Sequence, residues 1–437
     1  MSPLELSRNF NLIRTWRLSR QRLPSLQRLM PELAEQDIHL EALRQLPVTG
    51  KLEYRERAQE WLETNAALPH FMIRTGGTTG APTLQWGYMP PYAPPPAPSG
   101  EEPRPLYLKA GDGRQGTVPH FPKDVGSLIA PLRDIEGYRI MTEILQTRYR
   151  FAGYEEQFSR LSIPLPAAKK LVHYILLNNI GVNNFGLREV HTNSSFVSRA
   201  WRRRIETVLQ AKLIDHYGFT EIQTARAHEC PSCGYYHFPD SIYPEVVDLR
   251  GNLLSAPHAN GRLLVTRLLE ENDCAMPVLR FDSGDIAEIG VPCAFTGETG
   301  FKPWGKIDHS IGIDGGAAGD LYPVRYGDIQ DAIDSSAVVA RIDNIRHSLV
   351  TLTEGDTFPK WRLLPCPDAA NQARLEIEML FDPRLFTDEW AQFEADLRAR
   401  LDANNPDYRR AIDHAGFHLH IAGLPPGSLS DRDVMKS

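Results

Sequence analysis

Apolar residues recur at helical spacing through the first 70 positions: Trp16, Leu18, Leu23 and Leu26 fall as on an amphipathic helix, and Tyr54 to Asn65 runs without Gly or Pro. At Phe71 the pattern changes. Phe71-Met72-Ile73-Arg74 reads as a short strand entering a loop of glycines and hydroxyls, Thr75 to Thr83. After Leu106-Tyr107-Leu108, helical stretches are predicted around Asp124 to Leu132, Tyr138 to Arg150 and Ala167 to Leu177. Gly186 to Val190 and Lys212-Leu213-Ile214 read as strands on either side of a helix from Phe196 to Gln210. This alternation predicts an α/β architecture with strands buried between helices. From Pro244 to Ile289 the pattern turns to β, at Glu245 to Asp248, Gly261 to Thr266 and Val278 to Phe281. Beyond about residue 309, strands at Leu349 to Leu352, Leu375 to Phe381 and Phe417 to Ile421 accompany a helix from Asp388 to Leu401. The predicted fold is a large N-terminal α/β domain with buried sheets, residues 1–307, and a small C-terminal α+β domain, residues 308–437.

Composition narrows the picture. A chain of 437 residues exceeds one average domain of roughly 100–200 residues. Its 48 basic against 55 acidic side chains argue against a general nucleic-acid binder, which needs a basic face. No apolar run approaches the ~20 residues of a membrane span, so no membrane partner is expected. The arginine-rich, acid-poor N-terminus has the composition of a transit peptide, but its helical apolar spacing favours a surface helix. Five cysteines are too few for a disulfide scaffold and fit a reducing, cytoplasmic setting. Many of the 34 prolines sit in Met89 to Pro105, where missing donors and fixed φ predict a solvated, extended loop.

Four short motifs carry candidate chemistry. In Thr75 to Thr83, successive glycines let backbone N–H groups converge on an anion, and Thr75, Thr78 and Thr79 add hydroxyls. The Walker ending is absent, and a glycine-rich surface turn is the competing reading. Asp215-His216-Tyr217-Gly218-Phe219-Thr220-Glu221 follows a strand and offers an aromatic face, a hydroxyl and a carboxylate for a divalent metal. Arg280-Phe281-Asp282-Ser283-Gly284-Asp285 places an acid after glycine, where it can accept both hydroxyls of a ribose. Gly305-Lys306-Ile307-Asp308 flanks the change in composition.

These motifs, in this order, resemble the adenylate-forming superfamily of acyl/aryl-CoA ligases, peptide-synthetase adenylation domains and luciferases. The matching family patterns are TSGTTGxPK, YGxTE, a TGD-type motif and GRxD. The phenylacetate-CoA ligase branch is the nearest look-alike. The resemblance implies that Thr75, Gly76, Gly77, Thr78, Thr79 and Gly80 hold the β- and γ-phosphates of ATP. It further implies that Tyr217 and Gly218 form the adenine contact, that Thr220 touches the α-phosphate and that Glu221 ligates Mg²⁺. Asp285 would bind the ribose, with Lys306 in place of the family's arginine. Ser194 and Ser195 stand where the family has an adenine contact, and Asp308 stands at the hinge of a mobile C-terminal domain.

One departure concerns the lysine that the family supplies from a C-terminal Gly-Lys-x-x-Arg-like stretch. Leu429 occupies that place, and Lys436 is the candidate substitute, a frayed terminal lysine being the competing reading. Cys230, Cys233 and His237 form a Cys-x₂-Cys-x₃-His cluster which, with Cys293, has the donor set of a closed tetrahedral structural zinc site. His228 is an alternative fourth ligand, and an unmetallated hairpin with incidental thiols is the competing reading. His414, His418 and His420 read as ordinary strand histidines, and Arg202-Arg203-Arg204 as a solvated helix face.

The resemblance implies an ATP-dependent ligase that activates an organic, by branch an aromatic, carboxylic acid as its acyl-adenylate and passes it to CoA or another thiol. The cofactors are then ATP, Mg²⁺ and structural Zn²⁺, with CoA as co-substrate and a carrier or pathway protein as a further partner. Two alternatives stay open: an adenylating biosynthetic enzyme with an amine or oxyacid partner, and a nucleotide-binding scaffold without turnover.

Overall fold

The computed structural model describes residues 3–64, 71–74, 84–87, 102–111, 126–132, 135–222, 225–269, 276–316, 319–336, 360–366, 371–379 and 381–429, with backbone alone at 3–6, 71–74, 84–87, 111 and 126–131. They belong to two packed units, one of residues 1–94, 114–120 and 216–302, the other of residues 95–113, 121–215 and 303–437.

The first unit opens with the helix Pro3–Arg22 and a second helix, Pro24–Leu29, whose proline at the first position starts a new helix without sacrificing a bonded N–H. Trp16, Leu23 and Leu26 are buried as the spacing predicts, but Leu18 is only half-buried and the break at Leu23 puts Leu26 on the second helix; Arg17 and Arg28 are exposed. Their core continues onto antiparallel strands, where Ile242–Val247 pairs with Asn260–Arg267 and that strand with Phe281–Pro292. Gly261 is required there: a Cβ would lie 2.4 Å from the Val247 carbonyl oxygen. The predicted strand Val278 to Phe281 instead begins at Phe281. Arg280 just before it has φ +40 and buries its guanidinium, which donates to Glu245 Oε2 at 3.2 Å and to the carbonyls of Arg44 and Leu46 at 2.6 Å each. A charged residue at positive φ ends the regular run, and these bonds hold it there.

In the second unit five strands run parallel in the order Gly126–Pro131, Arg104–Gly111, Tyr154–Ser162, Glu189–Thr192, Lys212–Tyr217. The helix predicted around Asp124 to Leu132 is thus a strand at Gly126–Pro131. Six residues containing Ile129 and closed by Pro131 are too short for periodicity to separate a buried strand from a helix. Helices Ile135–Gln146, Leu165–Leu177 and Arg199–Leu209 share a core with Leu106, Leu108, Phe158, Leu161, Val190 and Leu213.

The C-terminal residues of this unit build a separate core around Ile329, Ile333, Leu375, Ile377, Phe393 and Leu397. A hairpin of Ile311–Asp314 and Asp320–Val324 leads to the helix Tyr326–Ser335. Strand Gln372–Glu378 pairs antiparallel with Trp361–Pro365 and parallel with His418–Leu424, and helices Thr387–Asn404 and Pro406–Ala415 complete an α+β module. Leu349 to Leu352 lies outside the described residues. Among the described residues no helix is long and apolar enough to cross a membrane.

A fully buried ion pair organises this module. The Arg325 guanidinium grips Asp328 at 2.8 and 2.9 Å and lies 3.8 Å above the Trp304 ring centroid. Asn405 donates to the same carboxylate at 2.8 Å and to the Tyr322 and Pro323 carbonyls. Removing one partner strands the other charge, so Asp328→Ala is expected to lose about 3–5 kcal/mol in chemical denaturation. Unchanged stability would remove this network from the account.

Candidate nucleotide and metal sites

Strand Lys212–Tyr217 delivers the aromatic motif. Its last two residues pair with strand Ala227–Glu229, and the chain then turns through the 3₁₀ segment Thr220–Ile222. Phe219, Phe238 and Phe301 surround the Tyr217 ring, with centroids 6.1, 6.1 and 5.4 Å away and planes steeply inclined. Gly218 passes close to Arg226, whose Cγ would lie 3.1 Å from an added Cβ.

The Tyr217 hydroxyl donates to Asp285 Oδ2 at 2.7 Å, joining two motifs 68 residues apart. Burial and then the Asp285 charge push the phenol well above its usual pKa, so it stays a proton donor at neutral pH. Asp285 is itself buried and is aimed by a turn: its N–H donates to Ser283 Oγ at 3.1 Å, Gly284 takes φ +70, and the Gly284 N–H donates to Asp282 Oδ1 at 2.9 Å. The Thr49 backbone brackets this segment, its N–H donating to the Arg280 carbonyl and its carbonyl accepting from the Asp282 N–H. A carboxylate has about four lone-pair sites, so accepting from Tyr217 leaves capacity for a ligand's hydroxyls.

Glu221 is buried at 5% exposure in the same turn, and its charge contributes, after burial, to raising the Tyr54 hydroxyl pKa. A buried carboxylate beside Thr220 has the hard oxygen chemistry a divalent cation takes. Tyr217, Gly218, Thr220, Glu221 and Asp285 all belong to the first unit.

Ser194, Ser195 and Lys306 belong to the second. Ser194 follows the strand Glu189–Thr192 at φ +78, with its hydroxyl donating to Asn193 Oδ1 at 2.6 Å. Lys306 ends the strand Thr299–Lys306, and Asp308 is exposed in the 3₁₀ turn Ile307–His309. Gly305 before them has φ +98, and a Cβ there would meet the Tyr326 ring at 2.7 Å, so the turn admits only glycine. Thr75 to Gly80 and Lys436 lie outside the described residues.

Cys230, Cys233, His237 and Cys293 converge in the first unit, with their ligand atoms all within 4.8 Å of one another. Cys230 Sγ lies 3.8 Å from Cys293 Sγ, and Cys233 Sγ lies 3.3 Å from His237 Nε2. The sulfurs are far beyond the ~2.05 Å of a disulfide and near the roughly 3.7 Å edge of a tetrahedron with ~2.3 Å metal–sulfur bonds. Each half rests on a glycine-closed turn. Gly234 at φ +72 donates its N–H to the Cys230 carbonyl at 2.8 Å, and Gly297, also at φ +72, to the Cys293 carbonyl at 2.7 Å. The second turn was readable in Cys293-Ala-Phe-Thr-Gly297 as a repeat of the first spacing, and sequence reasoning missed it. Backbone amides of Thr296 and Phe295 lower the Cys293 pKa, burial raises that of Cys233, and burial with nearby Arg8 lowers that of His237. His228 is not the fourth member: its ring packs on His216 at 4.6 Å, on the neighbouring strand.

His418 and His420 share one face of a strand, 4.4 Å apart between ring centroids, and His414 lies in the helix Pro406–Ala415, not on a strand. They form no metal-ligating group with acids or thiols among the described residues.

No family model and no curated protein matches the chain. Solved structures of 2-hydroxyisobutyryl-CoA ligase do. An open conformation in complex with 2-HIB-AMP and CoA gives a TM-score of 0.62 at 15% identity, covering 98% of this chain and 89% of that one. The postadenylation state with 2-HIB-AMP gives 0.59 at 16% identity, covering 98% and 88%. The state for thioester formation, with 2-HIB-AMP and CoA, gives 0.53 at 16% identity, covering 98% and 87%. The chain therefore shares the mixed α/β fold of those ligase structures.

Proposed function

We propose that this protein activates a carboxylic acid with ATP, forming an acyl-adenylate and pyrophosphate, and then transfers the acyl group to the thiol of CoA with release of AMP. The observation that carries the reading is the 2.7 Å bond from Tyr217 to Asp285, which unites the proposed adenine and ribose contacts. The likeness in fold to a ligase captured with its acyl-AMP and CoA supports it.

In the first half-reaction the carboxylate oxygen attacks the α-phosphorus, and the bond to the departing pyrophosphate breaks. Such a step needs positioning and charge neutralisation more than a protein nucleophile. Asp285 fixes the ribose, Tyr217 and Gly218 the base, Thr220 the α-phosphate and Thr75 to Gly80 the leaving phosphates. Glu221 would hold Mg²⁺, whose chemistry is neutralisation of the phosphate charge. By the resemblance alone, Ser194 and Ser195 are assigned an adenine contact, Lys306 a nucleotide contact and Lys436 the place of the missing lysine. Asp308 serves as the hinge between residues 1–307 and 308–437, three residues after Gly305, whose positive φ and contact with Tyr326 require glycine. The aromatic class of acid rests on the branch resemblance alone.

The cysteine cluster is a structural zinc site in this reading. Three thiolates and a neutral imidazole close the coordination shell with no position left for substrate. Zinc there would pin strand Tyr236–His237 to the Cys293 turn.

Acid-dependent exchange of labelled pyrophosphate into ATP, measured over aromatic and small hydroxy acids, is expected to single out one acid class. Asp285→Ala should lower kcat/KM for ATP by roughly 10–100-fold, the loss of one or two charge-assisted hydrogen bonds. Exchange that never depends on an acid would contradict the assignment.

Protein purified without chelator should carry one zinc per chain, and Cys293→Ser should lose it together with several degrees of Tm. A metal-free wild type of equal stability would defeat the zinc assignment.

A further inference from the structure

Arg199 and Arg203 stand one turn apart on the helix Arg199–Leu209, on one face and with like charge. Across a cavity of about 360 Å³ they meet Arg400 of the helix Thr387–Asn404, with Asp396, Ser335 and Asn404 completing the polar lining and two alanines leaving it open. Three guanidiniums thus share the cavity with one carboxylate.

Their hydrogen-bonding capacity is largely unspent. Arg199 uses Nε and Nη2 on Asp331, at 3.0 and 2.8 Å, which leaves Nη1. Arg400 reaches the Ser335 carbonyl only at 3.4 Å. Arg203 has no ion pair or hydrogen bond among the described residues. Planar guanidinium forks match the oxygens of a phosphate, and an anion between them relieves the repulsion of the Arg199–Arg203 pair.

We propose that this cavity binds a phosphate dianion, either free or as the phosphomonoester end of a larger ligand. Its two walls come from different hydrophobic cores, the parallel-sheet core and the C-terminal module, which also meet through Phe196 packed on the C-terminal core and through polar contacts. Arg199 holds Asp331, Arg204 donates to the Asp334 carbonyl at 3.1 Å, and Lys169 lies 4.0 Å from the Asp334 carboxylate. A ligand touching both walls stabilises this docked arrangement of the C-terminal module by mass action. The cavity shares no residue with the Tyr217–Asp285 site.

Titration calorimetry of the full chain with inorganic phosphate at low ionic strength tests the proposal. One phosphate should bind per chain. Affinity should fall about tenfold or more in Arg203→Glu and in Arg400→Ala, consistent with loss of a charge-assisted contact, and should persist in Asp285→Asn. Arg203 is exposed, so Arg203→Gln gives a folded control with an intermediate loss. Absence of binding at tens of millimolar phosphate, or equal binding by wild type and Arg203→Glu, would overturn it and leave only solvated arginines. The source of the phosphate is read from turnover, an arm that rests on the ligase assignment. A KM for CoA raised by Arg203→Glu while that for dephospho-CoA stays constant identifies the 3′-phosphate of CoA. Equal KM effects with phosphate binding lost identify a free anion. The calorimetric arm needs no turnover, so its failure is separate from a failure of acid activation.

Discussion

The hydrogen bond from Tyr217 to Asp285 is the constraint on which the functional reading depends. It closes between the end of one strand and the start of another, and each end is fixed by its own surroundings. Three phenylalanines hold the tyrosine ring, while a serine, a glycine at positive φ and the Thr49 backbone aim the carboxylate. Burial strengthens the bond and keeps the phenol protonated. On the proposed reading, a site assembled this way would cost little reorganisation on binding a nucleotide, so that positioning serves catalysis.

The same logic of distant segments held by short polar contacts recurs elsewhere. Arg280 ties the loop at Arg44 and Leu46 to Glu245 beneath the strand that carries Asp285. Arg8 donates to Glu298 at 3.0 Å, linking the first helix to the turn that presents Cys293. In the C-terminal module, Arg325, Asp328 and Asn405 join the hairpin, the helix after it and the final helix pair. Hydrophobic burial supplies the bulk of each core, and these groups select one arrangement within it.

Local chemistry was legible in the sequence where it was sequential. The amphipathic first helix, the helix of Arg199–Leu209, the Cys-x₂-Cys turn and the glycine at 305 each announce themselves through spacing or composition. Gly126–Pro131 was misread as helix because a short apolar run carries no period. The strand Tyr154–Ser162 went unread because its inner half is buried on both faces, so its pattern does not alternate. The Tyr217–Asp285 bond and the choice of Cys293 over His228 are long-range facts, set by strand order. The Arg199–Asp331 pair shows the same limit: Arg202-Arg203-Arg204 read as a solvated face, and the acid that pairs with this helix lies 132 residues on.

Oxygen tracing tests the central claim most directly. With acid labelled by ¹⁸O in its carboxyl group, together with ATP and CoA, attack on the α-phosphorus leaves one labelled oxygen in the AMP after thiol transfer. The account predicts ¹⁸O in AMP and none in pyrophosphate. Label appearing in inorganic phosphate alongside ADP, or AMP formed without label, would contradict an acyl-adenylate and with it the role given to Tyr217, Glu221 and Asp285.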